Sequence, residues 1–363
     1  MADRNVISGN ASHGVGIYPR RTDSNVVVGN IIGLTPSGKG RLANVAVGVD
    51  INYGSSYNVV GGTLQGERNV ISGNGREGVE VSHHSDTPET YPTANRVIGN
   101  FIGTDPTGES AQVYTHNGSF SQGLDAVHLV DGARDSEVAY NVIGSAERSG
   151  VGIDGAGVAA ADGSPTTTGN KVYGNRIGIS RGGKALPTGA AGITVLAGAT
   201  NSQIGPRNVI ANNLAGVRIS KSQSNRITSN SIYANSGLGI DLAPIGRSNK
   251  NDHLDPDEGA NRLQNVPVVT SAITSGGVSA IRGTLDSTRN FTFRIEFFSN
   301  PTGTNEGRTL IGYKNVTTGT DGKASFVFRP TMVVSPGRTV TATATNPGGN
   351  TSEFSASRTV VKR

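Results

Sequence analysis

Short aliphatic runs, rich in Val and Ile and closed by Gly, Asn or Ser, recur through the first 240 residues. None of them carries a sustained helical period; each reads as a brief strand between turns. Two themes alternate. The first is Arg4-Asn5-Val6-Ile7-Ser8-Gly9-Asn10, which returns unaltered from Arg68 to Asn74 and in worn form from Arg207 to Asn213. Shorter relatives run from Asn25 to Asn30, Asn95 to Asn100, Asn170 to Asn175 and Asn225 to Asn230. The second theme is Gly, an aliphatic residue, one free residue, then Ile or Val. It appears at Gly14, Gly48, Gly78, Gly150, Gly192, Gly216 and Gly237, and Ala126-Val127-His128-Leu129 fills the same slot without the glycine.

Self-similarity at a spacing of roughly 20 to 50 residues is the mark of a stacked repeat. Three short strands fall in each repeat, so the themes predict a parallel β-helix of about eight turns over residues 1–245. Its interior should hold a column of Ile51, Val81, Leu129, Ile153, Val195 and Ile219. The recurring Asn residues, Asn10, Asn30, Asn74, Asn100, Asn175 and Asn230 among them, read as scaffold. Asn tolerates a left-handed bend, and stacked amides bond from turn to turn.

The pattern stops after Leu242. Residues 246–261 are polar and charged and read as a linker. Over 262–363 strict alternation, as in Phe291 to Phe297, is broken by turn clusters such as Asn346-Pro347-Gly348-Gly349. That predicts an antiparallel sandwich, immunoglobulin-like in architecture but without cysteines. The chain is therefore expected to be all-β.

Composition narrows the function. There is no Cys and no Trp, so no disulfide framework exists. No apolar run reaches the ~18 residues of a membrane span. Met1-Ala2 leads straight into a repeat and reads as a start placed after a removed leader. The net charge is +5, yet residues 1–250 hold 20 Lys and Arg against 18 Asp and Glu. Without a basic stripe, nucleic acid is not an expected partner. The first turn has no evident cap, and its open strand edges permit a preceding segment or assembly between chains.

The NVISGN and GNxIG repeats resemble those of bacterial right-handed parallel β-helix repeat proteins. So do Thr104-Asp105-Pro106-Thr107-Gly108 and the tail from Val340 to Phe354. The resemblance spans nearly the whole chain. It implies that fold and a secreted or cell-surface location. Its members include lyases, hydrolases, epimerases and adhesins, and no catalytic residue is carried over from any of them.

Candidate chemistry follows from the free position of the second theme, which points away from the coil interior. Turn by turn it reads Gly16, Asp50, Glu80, His128, Gly152, Thr194, Arg218, Gly239. Asp50, Glu80 and His128 should stack ~4.8 Å apart on one water-facing side. Stacked carboxyls split their pKa values, as an acid and a nucleophile or base require, and His128 adds a general base or acid. The alternative is that Asp50 and Glu80 merely fill a soluble position. Long insertions, Ser82 to Ala94 and Thr104 to Gly123, are expected to wall a groove there. Substrate-binding candidates are His83, His84, Asp86, Tyr91, Tyr114, His116, Asp154 and Arg218. Asp252, Asp255 and Asp257 form an oxygen-rich run suited to a structural Ca²⁺, although without the full EF-hand spacing; a solvated linker is the alternative.

These readings favour a secreted enzyme acting on a polysaccharide, a glycoside hydrolase that uses stacked carboxylates and needs no cofactor. A lyase on an acidic glycan, with His128, Lys221 or Arg218 as base, is the alternative within enzymes. A non-catalytic surface or adhesive protein is the alternative outside them.

Overall fold

The computed structural model describes residues 4–64, 66–83, 91–111, 125–155 and 167–363. From Val6 to Leu242 the chain visits three parallel sheets in rotation. The first sheet has eight strands from Val6–Ile7 to Ser231–Tyr233, and the second eight from Val15–Ile17 to Ile240–Leu242. The third has seven, from Val26–Val27 to Arg226–Ile227. This is a parallel β-helix.

The expected interior column is present. Ile17, Ile51, Val81, Leu129, Ile153, Val195, Ile219 and Leu242 are paired strand to strand in unbroken register. All are buried, each worth roughly 1.5–3 kcal/mol in apolar transfer. The glycine of the second theme has a steric cause. A Cβ on Gly48 would lie 2.5 Å from the carbonyl oxygen of Gly78, and one on Gly216 would lie 2.3 Å from that of Gly239. Adjacent coils approach closely at this corner, and only Ala126 carries a Cβ in this slot.

The asparagines form amide ladders between coils. One runs through Asn5, Asn30, Asn69, Asn100, Asn141, Asn175, Asn208 and Asn230, each Nδ2 donating to the next Oδ1 at 2.9–3.2 Å. Others link Asn10, Asn44 and Asn74, and Asn25, Asn58 and Asn95. Each amide thereby satisfies polar groups that a buried corner would leave orphaned. Small hairpins closed by the pairs Leu34–Arg41, Thr104–Ala111 and Ile179–Ala185 follow strands of the first sheet. Leu34 packs with Ile31, Val70, Phe101 and Val142 in a satellite core. The start of the second long insertion, Thr104 to Ala111, is thus part of the scaffold.

After Leu242 the chain passes through residues 246–261. Within them Asn249 bonds Glu353, and Ala260 and Asn261 are buried. Two four-stranded sheets follow. One orders Lys323–Phe328, Val278–Asp286, Val268–Ser275 and Val361–Lys362; the other orders Thr309–Thr317, Thr292–Asn300, Thr339–Thr345 and Arg358–Thr359. All pairings are antiparallel except Val268–Ser275 with Val361–Lys362. Their inner faces share a core that includes Phe293, Ile295, Phe297 and Phe326.

This unit closes the open end of the coil. Three glutamates take backbone N–H groups of the last turn: Glu296 from Ser229 at 2.9 Å, Glu306 from Asn235 at 3.3 Å and Glu353 from Leu242 at 3.1 Å. Those donors would otherwise be orphans at a sheet edge. Burial pushes the Glu306 and Glu353 carboxyls upward against the lowering effect of these same bonds. Phe354 lies over Gly239, where a Cβ would be 2.8 Å from its ring.

Candidate functional site

The outward row of the second sheet reads Gly16, Asp50, Glu80, His128, Gly152, Thr194, Arg218, Asp241. The last member corrects the expectation of Gly239. Gly239-Ile240-Asp241-Leu242 is an overlapping copy that ends in Leu, as Ala126 to Leu129 does, and it is the one whose aliphatic residues enter the column.

The row places Asp50, Glu80 and His128 side by side, as expected. It does not leave the carboxylates facing water: Asp50 is 4% exposed and Glu80 3%. A second set of polar residues, three places ahead of the row in four of the repeats (His13, Glu77, Asp125 and Ser149), reaches toward the row member of the next coil. His13 Nε2 lies 3.8 Å from Asp50 Oδ2. Glu77, Glu80 and His128 bring ligand atoms within 4.8 Å of one another. Asp125 reaches the space above Gly152, where a Cβ would lie 2.2 Å from its Oδ2 and 3.0 Å from His128 Cδ2. Ser149 hydrogen-bonds Thr194. Gly152 therefore leaves room that Asp125 and His128 occupy.

Asp125 is firmly held. It accepts from Arg148 Nε at 3.0 Å and from the Ser149 N–H at 2.8 Å, and it pairs with Arg148 Nη2 as well. Its Oδ2 lies 3.9 Å from His128 Nε2. Burial favours a neutral Arg148, but the hydrogen bond and charge of Asp125, with Asp154 and Glu77 beyond, raise its pKa instead.

Glu77 is 1% exposed. Burial, then the negative charge of Glu80, raises its pKa to about 8; Arg76, its own backbone N–H and Asp125 are smaller influences. Its Oε2 accepts no hydrogen bond among the described residues, with Arg76 Nε at 3.4 Å. At neutral pH Glu77 is therefore mostly a carboxylic acid beside Glu80. Sequence reasoning missed Glu77, Asp125, Arg148 and His13. The available signal was polarity directly before the theme, at His13, Glu77, Asp125 and Ser149, where other repeats carry Val47, Ala191 and Ala215.

The remaining candidates disperse. Asp154 stands at the rim, close enough to act on Arg148. Arg218 pairs with Asp241 at 3.4 Å, two strands further along the row than Gly152. His83 is buried, edge-on to Tyr91 at 5.3 Å, and Arg134 lies 4.0 Å over the Tyr91 ring. His83, named above as a substrate-binding candidate, is thus packed inside the scaffold. His84, Asp86, Tyr114 and His116 lie outside the described residues, as do most of the insertions expected to wall the groove. Asp252, Asp255 and Asp257 do converge, with oxygens within 4.8 Å. Among the described residues Asp252 Oδ1 and Asp257 Oδ1 accept no hydrogen bond, whereas Asp255 accepts from Gln264, Asn265 and Ser287. Burial raises Asp255 to about 6. A cavity of about 440 Å³ adjoins, lined by Asp255, Asp257, Arg262 and Phe291.

Among the described residues no helix is long and apolar enough to cross a membrane. No protein-family model and no curated protein matches the sequence. Solved structures align with the chain at low similarity. The A-module of an Azotobacter vinelandii mannuronan C-5 epimerase aligns at 16% identity over 64% of this chain and 55% of that one, TM-score 0.30. Tailspike protein 2 of an Escherichia coli bacteriophage aligns at 11% over 96% and 50%, TM-score 0.28. A tailspike of an Acinetobacter baumannii bacteriophage, a capsular polysaccharide depolymerase, aligns at 9% over 95% and 68%, TM-score 0.21. The chain thus spans about half the length of the first two. The fold rests on the strand pairing of the chain itself, and the chemistry on the row.

Proposed function

We propose that this chain hydrolyses a polysaccharide outside the cell, at the outer row of the second sheet, with Glu77 as the acid and Glu80 as the nucleophile. One observation carries the reading: two buried carboxyl groups offer oxygens within 4.8 Å of each other, and one is held protonated partly by the other's charge. Retaining glycosidases need such a pair, ~5–5.5 Å apart. Glu77 donates its proton to the glycosidic oxygen as the bond to the leaving sugar breaks. Glu80, only 3% exposed in this structure, attacks the anomeric carbon to form a glycosyl ester once substrate binding uncovers it. Glu77, now a carboxylate, takes a proton from the water that cleaves the ester, which restores both groups. Asp50 and His128 flank the pair on the adjoining strands and are assigned to sugar hydroxyls. A row that climbs from coil to coil suits a polymer.

The balance of charge favours hydrolysis over lyase action. Asp50 and Glu80 stand in the row, with Asp125 and Asp154 beside it, while Arg76 and Arg148 lie against Glu77 and Asp125. A uronate would meet like charge there. A structural Ca²⁺ is proposed separately at Asp252, Asp255 and Asp257, on the convergence of their oxygens. The test of the activity is a screen of neutral, amino-sugar and uronic-acid polysaccharides. New reducing ends without ultraviolet absorbance support hydrolysis; an absorbing unsaturated product overturns it in favour of a lyase.

A further inference from the structure

The row continues past Asp50 onto the first coil, where it changes character. Gly16 pairs with Asp50, and the ring of Tyr18 occupies the space above Gly16: a Cβ there would lie 2.5 Å from Tyr18 Cε1. Tyr18 meets Tyr53 edge to face at 6.2 Å and His13 at 6.4 Å. His13 in turn is the residue that reaches Asp50. The carboxylates next door are closed in, yet Tyr18 is 45% exposed and Tyr53 40%. Tyr53 sits at φ 54°, its N–H donating to Asn52 Oδ1 at 2.7 Å, so a turn in a sparsely populated conformation holds the ring outward.

We propose that Tyr18 and Tyr53 form a stacking subsite for one pyranose ring of the substrate, one coil from Asp50, and that this ring bears no carboxylate. The inference rests on the hydrolase reading and adds the substrate class to it. The axial C–H face of a pyranose is apolar and packs on an aromatic face, while its hydroxyls stay wet. Two tyrosines that brace each other lose little rotamer freedom on binding, which favours anchoring. The coil rise of ~4.8 Å is close to the length of one sugar unit. A glycan stacked on Tyr18 and running along the coil axis therefore places its next units over Asp50 and Glu80. Asp50 and Glu80 lie beneath those next units, so neutral or amino sugars are accepted there and uronates are repelled.

The test is direct binding, independent of turnover. Cellohexaose, chitohexaose and hexamannuronate are titrated into wild type, Tyr18→Ala, Tyr53→Ala and Glu80→Gln, by calorimetry. The expected result is binding of one of the first two and none of hexamannuronate. Each tyrosine variant should weaken Kd by about tenfold or more, as for an aromatic anchor, and Glu80→Gln by less than about threefold. Thermal unfolding of both tyrosine variants should stay near wild type, because the rings are half-exposed. Tight binding of hexamannuronate, wild-type affinity in both tyrosine variants, or no binding of any of the three overturns the subsite. Tyrosine-dependent binding without turnover of any glycan retains the subsite and removes the hydrolase reading.

Discussion

Glu77→Gln is the perturbation whose effect follows most directly from the geometry. The variant keeps the shape of the protonated carboxyl and removes the charge. Moving a carboxyl from 4.5 to about 8 makes ionised Glu77 roughly 5 kcal/mol less favourable in the fold than in the unfolded chain, at ~1.36 kcal/mol per pKa unit. The folded pKa lies above the unfolded one, so the native state binds the extra proton between these values. The contribution of Glu77 is fully present below pH 4.5 and is lost as pH rises through about 8. Wild type should therefore lose stability relative to Glu77→Gln across that window, by up to ~1.4 kcal/mol per pH unit. Above it the variant should be the more stable protein. The assay is urea unfolding of both proteins from pH 4 to 9, comparing midpoints at each pH. Other buried carboxyls such as Glu306 and Glu353 titrate in both proteins and cancel in the difference. Parallel curves would refute the buried, proton-holding Glu77 and with it the acid of the proposed mechanism.

The rest of the molecule makes equally concrete demands. Val81→Asp puts an unpaired carboxylate in the interior column and should abolish cooperative unfolding; a wild-type melting transition would overturn the register. Glu353→Ala strips acceptors from the N–H groups of Leu242 and Asn249, at about 1–3 kcal/mol for each buried donor. Chemical denaturation should show a loss of about 3 kcal/mol, and a change below ~0.5 kcal/mol would show that the cap is dispensable. If Asp252, Asp255 and Asp257 hold Ca²⁺, the melting temperature should fall in chelator and rise with added Ca²⁺; identical melting in both would leave these residues as a solvated turn.

The scaffold was legible because repetition amplifies weak signals. A single Gly-Val-Asp-Ile says little, but eight copies fix which side of each strand is buried. The Asn positions announced their ladders for the same reason. The last copy was misplaced because two overlapping matches, at Gly237 and Gly239, compete, and only the pairing of Arg218 with Asp241 decides between them. The site was half legible. Strand alternation identified Asp50, Glu80 and His128 as neighbours, but it says nothing of side chains that reach from one coil to the next. His13, Glu77 and Asp125 act across that gap, and their reach turns a supposed open face into a closed acidic cluster. The glutamates that cap the coil were invisible for a related reason. Glu296, Glu306 and Glu353 lie in an alternating region where an isolated Glu reads as solvated, and their partners are 67 to 111 residues away.

The central claim is that Glu77 and Glu80 act on one glycosidic bond. It is tested most directly by kcat/KM of wild type, Glu77→Gln and Glu80→Gln on the polysaccharide that the screen identifies, with folding verified by circular dichroism. Glu77→Gln should lose ~10²–10⁴-fold, and Glu80→Gln at least as much. Rates within about tenfold of wild type for both variants would contradict that claim.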